Sequence, residues 1–136
     1  HDFILTEIIS TSIGLGYSDS DAVVDAGNDY ETYDVSFGLN FAFPWAYIAV
    51  GNAISFNDYK REDTSVSSTK LRSDFTNTFD IMLTKAIGDI FPTIDPNRSL
   101  FINLSYEKLI SEANMLNYDY ISDSFSLSFS KSLRLN

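Results

Sequence analysis

The sequence predicts an all-β fold of about six long antiparallel strands, and three observations support this prediction. Large apolar residues alternate with small or polar ones over long stretches, as in YDVSFGLNFAF from Tyr33. One connection between these stretches is very short, whereas others are long and polar. Cysteine is absent, and no apolar run approaches the length of a transmembrane helix. Side chains of a strand change face at every residue, and no helix keeps a period of two, so the stretches are strands.

The alternation recurs six times along the chain. The segments are IISTSIGLGYSDS from Ile8, YDVSFGLNFAF from Tyr33, AYIAVGNAISF from Ala46, FTNTFDIMLTKAI from Phe75, SLFINLSYEKL from Ser99 and SFSLSFSKSLRLN from Ser124. Three polar residues interrupt the apolar rows, namely Asn52, Asn77 and Lys85. Lys85 lies near a strand end, where its long side chain can reach water. Asn77 either lies deeper in the face or marks a bulge.

The length of the segments and the order of the connections favour a membrane protein. Strands of soluble proteins have about 5–6 residues, whereas a tilted membrane-spanning strand needs about 9–11. The long polar connections, 18–32, 57–71 and 109–121, fall on one side of the sheet, and the Pro44–Trp45 turn falls on the other. Residues 88–98 also lie on the turn side, where Pro92 and Pro96 exclude a regular strand. Outer-membrane barrels have short periplasmic turns and long extracellular loops. We therefore predict an antiparallel up-and-down transmembrane β-barrel, or about six strands of one. Residues 1–136 are then a single barrel domain or the C-terminal fragment of a larger barrel.

The two sets of alternating residues predict which side chains face lipid and which face the barrel lumen. The apolar set is expected to contact lipid and includes Val35, Phe37, Leu39, Phe41, Ile81, Leu83, Leu104, Leu127 and Phe129. The small and polar set suits a crowded concave interior, and its larger members are Asp34, Asn40, Asp74, Asp80, Glu107 and Lys131. The inward carboxylates either make the lumen cation-selective or pair with Arg72, Lys131 or Arg134 and plug it. Aromatic residues flank both the short turn and the long connections, as Tyr and Trp do at membrane interfaces.

The end of the chain resembles a known family. The features are Ser111 to Asn114, the run Asn117-Tyr118-Asp119-Tyr120, and the serine-rich alternating strand from Phe125 to Leu135. This stretch is similar to the last hairpin of bacterial outer-membrane β-barrel proteins, particularly barrels that follow tetratricopeptide or other periplasmic domains. The resemblance covers the last quarter of the chain, and it implies a location in the outer membrane of a Gram-negative bacterium.

Charge and the titratable residues limit the other functions. The net charge of −10 argues against a nucleic-acid partner. His1 is the sole histidine and stands at the start of the sequence, and no interior histidine is present to act as a general base, so we expect no enzyme activity and no cofactor. Carboxylates crowd the first two long connections, at Asp19, Asp21, Asp25, Asp29, Asp58, Glu62 and Asp63. Their spacing matches no Ca²⁺-binding loop, so a solvated acidic loop is favoured over a metal site. The basic residues of the second connection, Lys60, Arg61, Lys70 and Arg72, either contact lipopolysaccharide phosphates or are solvated.

The sequence thus predicts a porin-like outer-membrane barrel that acts as a channel, export or anchoring component, with the lipid bilayer as its partner. The alternative is a soluble all-β binding or structural module. Six strands are fewer than the minimum of about eight in single-chain bacterial barrels. We therefore expect the strand that begins near Phe3 and the strand that ends near Leu135 not to pair with each other. Upstream residues, another copy or another protein would complete the wall.

Overall fold

The computed structural model describes residues 2–4, 8–21, 29–62, 70–115 and 118–132, and they form one antiparallel sheet. Its seven strands follow one another in the sheet in chain order. They are β1 (Asp2–Ile4), β2 (Ile9–Ser20), β3 (Tyr30–Phe43), β4 (Ala46–Tyr59), β5 (Ser73–Ala86), β6 (Leu100–Ala113) and β7 (Tyr120–Lys131). The prediction of six long strands in an all-β, up-and-down arrangement is confirmed.

The sheet is open between its two edge strands. β1 pairs only with residues 10–12 of β2, and β7 pairs only with β6. The expectation that the first and last strands do not pair with each other is confirmed for the described residues, which end before Leu135. One detail is corrected, because the segment around Phe3 is a separate short strand antiparallel to β2 and not the beginning of β2.

The strands extend farther towards the long connections than the apolar pattern indicates. Ser18, Asp19 and Ser20 pair with residues 30–32 of β3, although none of the three is apolar. β6 likewise continues to Ala113, and β7 begins at Tyr120 instead of Phe125. The predicted connections 18–32, 57–71 and 109–121 are therefore too long. Backbone pairing continues past the apolar part of a strand, and the side-chain pattern cannot record it.

The two connections on the turn side are both compact. Pro44 and Trp45 alone join β3 to β4, and Phe43 pairs with Ala46 across the turn. Residues 87–99 begin with a 3₁₀ turn at Ile87–Asp89 and fold back on themselves through backbone hydrogen bonds. The predicted absence of a strand around Pro92 and Pro96 is confirmed.

Asp95 closes the 87–99 connection. Its carboxylate accepts hydrogen bonds from the backbone N–H groups of Ser99 (2.9 Å) and Leu100 (2.8 Å) and from the Ser99 hydroxyl (3.0 Å). Asp95 is only 3% exposed. Burial alone would raise the pKa of Asp95, but these hydrogen bonds outweigh burial and hold the pKa below its ordinary value.

The described residues form a single layer with almost no buried core. Ala46 and Met115 are the only buried apolar residues among them, whereas Leu15 is 82% exposed and Phe125 is 81% exposed. A soluble domain normally covers the apolar face of a sheet with a second layer. No such layer is present in the described part of the chain. Nor does that part contain a helix long and apolar enough to cross a membrane.

Candidate membrane-facing surface and polar face

Strand pairing without bulges gives the sheet two continuous faces. The apolar face consists of the odd-numbered residues of β2, β3, β5 and β7 and the even-numbered residues of β4 and β6. The remaining residues form the polar face. All nine residues predicted to face lipid lie together on the apolar face, namely Val35, Phe37, Leu39, Phe41, Ile81, Leu83, Leu104, Leu127 and Phe129. Their contact with lipid stays a prediction.

The apolar face of β3 would have the height of the apolar band of a barrel if the strand were tilted as barrel strands are. On β3 it runs from Phe43 to Tyr33, which is about 34 Å along the strand at about 3.4 Å per residue. In a strand tilted near 45° this length spans about 24 Å vertically, close to the band of about 25 Å on outer-membrane barrels.

Aromatic pairs mark both ends of this band. At the turn end, the Phe43 ring stacks between Phe41 and Trp45, with centroids 6.1 and 5.5 Å apart. At the connection end, Tyr17 contacts Tyr33 at 5.2 Å, and Phe56 contacts Phe75 at 5.1 Å. Aromatic belts of this kind lie at the headgroup level of membrane proteins.

At the end of the sheet nearer the long connections, a row of carboxylates lies directly beyond the aromatic row. Asp19, Glu31 and Asp58 stand side by side in register on β2, β3 and β4. The Lys60 ammonium bonds to Asp19 and lies 2.6 Å from Asp21. These hydrogen bonds raise the pKa of Lys60, so the lysine stays charged. The change from rings to charges within one step is what a boundary between hydrocarbon and water requires.

The two asparagines that interrupt the apolar rows bond to each other. Asn52 Nδ2 donates to Asn77 Oδ1 at 2.6 Å and to the Thr78 carbonyl at 3.2 Å. Asn77 pairs in regular register with Ile54 and Ile110, so no bulge is present there. The sequence left Asn77 as a deep residue or a bulge, and the structure supports the first alternative. The pair satisfies much of its own hydrogen-bonding capacity on an otherwise apolar surface.

A second polar group on the apolar face was missed by the sequence analysis. Lys108 of β6 stands directly opposite Asp123 of β7, and the Tyr106 hydroxyl donates to Asp123 Oδ1 at 2.6 Å. Leu109, next in the chain, lies on the polar face. Here the charged residue lies on the apolar face and the apolar residue on the polar face, so the alternation in the sequence does not show that β6 continues. A charged side chain facing lipid costs about 2–4 kcal/mol at the bilayer centre and less near the interfaces.

Lys85, the third interruption, lies at the turn end of β5 as predicted. Its ammonium donates to the Trp45 carbonyl at 2.6 Å and lies 5.8 Å from the centre of the Trp45 ring. Asp89 is 3.9 Å away. Lys85 is therefore held among polar groups at the edge of the band.

The polar face carries five of the six residues predicted to face a lumen. Asp34, Asn40, Asp74, Asp80 and Glu107 all lie on it, and Asp80 pairs directly with Glu107. Lys131 does not, because it follows Phe129 by two residues and shares the apolar face with it. The prediction for Lys131 is wrong: its charge suggested an inward position, but the period of two places it with Phe129.

Small side chains allow hydrogen bonds to cross the polar face from strand to strand. The Tyr47 hydroxyl donates to Asn40 at 2.7 Å, and Ser105 and Ser126 lie 2.7 Å apart. The Asp80 carboxylate lies over the backbone at Gly51, where a Cβ would force that side chain to move. The face is thus polar and crowded near the backbone.

One inward carboxylate is neutralised within the chain. Asp74, 7% exposed, forms an ion pair with Arg72, whose guanidinium lies over the rings of Tyr59 (4.5 Å) and Tyr118 (3.5 Å). Arg72 is one of the three basic residues predicted to pair with the carboxylates of the polar face, and it forms its ion pair with Asp74. Lys131 lies on the other face, and Arg134 lies outside the described residues.

The acidic connections do not form a metal site in the described part of the chain. There, no group of three or more metal-ligating side chains comes together. Asp29 pairs with Arg61 at 2.6 Å, and Asp19 and Asp21 pair with Lys60. Asp25 and Asp63 lie outside the described residues. His1 also lies outside them.

These observations define the class of the molecule: an open, single-layered antiparallel sheet with one exposed apolar face and one polar face. No protein-family model, curated protein or solved structure matches the chain.

Proposed function

We propose that this chain forms part of the wall of a bacterial outer-membrane β-barrel, acting as a porin-like channel, export or anchoring component and not as an enzyme. In this proposal the apolar face contacts the bilayer, and the polar face lines the lumen. The open edges pair with further strands, from a longer chain, another copy or another protein. The connections 21–29, 60–72 and 114–119 then lie outside the cell, and Pro44–Trp45 lies in the periplasm.

The observation that carries the proposal is the uncovered apolar face. Its height of about 24 Å matches the hydrocarbon band of outer-membrane barrels. Water would contact Phe37, Leu15 and Phe125 if nothing covered them, and monomeric soluble proteins rarely expose so large an apolar surface. The aromatic rows at both ends and the carboxylate row of Asp19, Glu31 and Asp58 add independent support.

The polar face supports a cation-preferring lumen. Asp80 and Glu107 stand side by side, both exposed, and Asp34 is also exposed. Rings of carboxylates favour cations in channel lumens. Since Lys131 lies on the opposite face, it cannot neutralise them. Contacts between the outer connections and lipopolysaccharide belong to the same proposal, although Lys60 and Arg61 are already paired with aspartates.

A soluble all-β module is the second candidate, and the polar residues of the apolar face favour it. Asn52, Asn77, Lys108 and Asp123 would be easier to accommodate against protein than against lipid. In that case another protein layer covers the whole apolar face.

Cysteine labelling tests the proposal, because the chain has no cysteine of its own. Phe37→Cys and Ser36→Cys are adjacent on β3 but lie on opposite faces. With the protein in the outer membrane of a Gram-negative host, a water-soluble thiol reagent should label Ser36→Cys faster than Phe37→Cys. Faster labelling of Phe37→Cys, or recovery of the protein without detergent, would contradict the membrane assignment.

A further inference from the structure

Polar groups on the apolar face are confined to one side of the sheet. On β2 and β3, Thr11 is the only polar residue between the aromatic rows, and its hydroxyl donates to the Gly38 carbonyl at 2.9 Å. The polar groups of β4–β7 form what we call the mixed patch, which consists of Asn52, Asn77, Tyr106, Lys108 and Asp123. A uniform lipid environment gives no reason for this confinement.

Four of the five residues of the mixed patch form hydrogen bonds with one another, and Lys108 is the exception. Asn52 bonds to Asn77, and Tyr106 bonds to Asp123. Among the described residues, no carboxylate oxygen lies within 4.0 Å of the Lys108 ammonium. Asp123 has a second carboxylate oxygen beside the one that Tyr106 uses. The patch therefore presents one positive and one negative group side by side on an apolar surface.

We propose that a second copy of this chain packs on the apolar face of β4–β7 around a two-fold axis, with Lys108 of each copy against Asp123 of the other. The proposal rests on the membrane role proposed above, because the apolar face of β2 and β3 then remains in contact with lipid. A two-fold interface brings the same patch of both copies together, so a patch must be complementary to itself. Neighbouring opposite charges meet this condition, since rotation by 180° exchanges their places.

The shape and size of this surface suit such an interface. Beside the mixed patch lies an apolar groove of about 470 Å³, whose walls include Ile81, Leu83, Leu104, Phe125 and Leu127. Four strands at about 4.8 Å spacing and about 41 Å length give a surface of about 800 Å². A standard protein interface buries about 800 Å² on each partner. The Tyr106 and Phe125 rings, 4.7 Å apart, add the aromatic contacts that are common at interface centres.

The mass of the detergent-solubilised protein, measured by light scattering, tests the pairing. The wild-type assembly should have twice the mass of the Lys108→Glu or Asp123→Lys assembly. The double variant Lys108→Asp with Asp123→Lys should restore it. Glu31→Lys is the matched control, because Glu31 lies on the apolar face of β3, outside the proposed interface, and its charge reversal should leave the mass unchanged.

Crosslinking in vesicles gives a second readout that does not depend on detergent. Phe125→Cys should form a disulfide between copies on oxidation, and Phe37→Cys should not. A single-copy wild type, or a mass that Lys108→Glu leaves unchanged, would overturn the pairing, because edge-to-edge association does not involve Lys108.

Flotation with phospholipid vesicles separates the two proposals: a floating single copy refutes only the pairing. A two-copy protein that does not float refutes the membrane role and, with it, this interface in the form proposed.

Discussion

The apolar face of β2 and β3 differs from that of β4–β7, although both belong to one sheet with one alternation. On β2 and β3, apolar side chains run from one aromatic row to the other with only Thr11 between them. On β4–β7, the same rows contain an asparagine pair and a lysine opposite an aspartate. The first part is suited to a uniform apolar medium, and the second part to a medium that can pair with charges.

The comparison teaches that alternation fixes the face of a residue but not the medium that the face contacts. Phe37 and Lys108 lie in the same row of the sheet, joined through Asn52 and Phe79. A face can therefore be lipid-exposed at one end of a row and bind protein at the other. Substitutions in the two parts should consequently have different costs.

The largest effect is expected for Phe37→Lys in the uninterrupted part. Under the proposed membrane role, a lysine there would face hydrocarbon near the middle of the band, which should lower the free energy of unfolding by about 2–4 kcal/mol. The measurement is urea unfolding of the assembled protein in phospholipid bilayers. Ile121→Lys is the matched control, since Ile121 is the second residue of β7 near the connection end and should cost about 0–1 kcal/mol. Equal costs would contradict the placement of Phe37 near the middle of a hydrocarbon band.

A smaller effect is expected for the asparagine pair of the interrupted part. Asn52→Leu leaves the Asn77 carbonyl oxygen without its donor, and should lower the free energy of unfolding by about 1–3 kcal/mol. Asn77→Leu should cost less, because Asn52 keeps its bond to the Thr78 carbonyl. The double variant should be more stable than the sum of the two changes predicts. Strict additivity would show that the pair does not act as a unit.

The smallest effect is a local one at acidic pH, in the 87–99 connection between β5 and β6. The folded-state pKa of Asp95 is lowered, so its contribution to stability is present above its ordinary pKa of 3.8 and is lost as the pH falls through the folded value. The protection of the Ser99 and Leu100 amides, measured as exchange relative to the intrinsic rate at each pH, should therefore fall below that range. Amides of β2 and β3 should not respond. Asp95→Asn should make the exchange fast at all pH values, and a wild-type exchange rate in this variant would refute the role of the carboxylate.

Sequence reasoning found most of the fold and part of the site. The six strands and the two faces follow from alternation, which is strong wherever apolar and small residues take turns, as in β3. It failed at Lys108 and Leu109, where the charged residue lies on the apolar face and the apolar residue on the polar face, so the side-chain pattern stops. It also failed at Lys131, because the charge of the side chain was given more weight than the place of the residue in the alternation. The strand ends beyond Ser18 were missed because backbone pairing leaves no side-chain signature there.

The sequence by itself determined which residues share a face, because the alternation of side chains along a strand is a local property with a period of two. Only the tertiary structure decided which residues meet across strands. Asn52 and Asn77 are 25 residues apart, and the interruption that each makes alone becomes a hydrogen-bonded pair only in the observed register of β4 and β5. Register depends on the pairing of distant segments, and a shift by one residue would send each side chain to the opposite face. The placement of Lys108 opposite Asp123 is decided in the same way, by the pairing of β6 with β7.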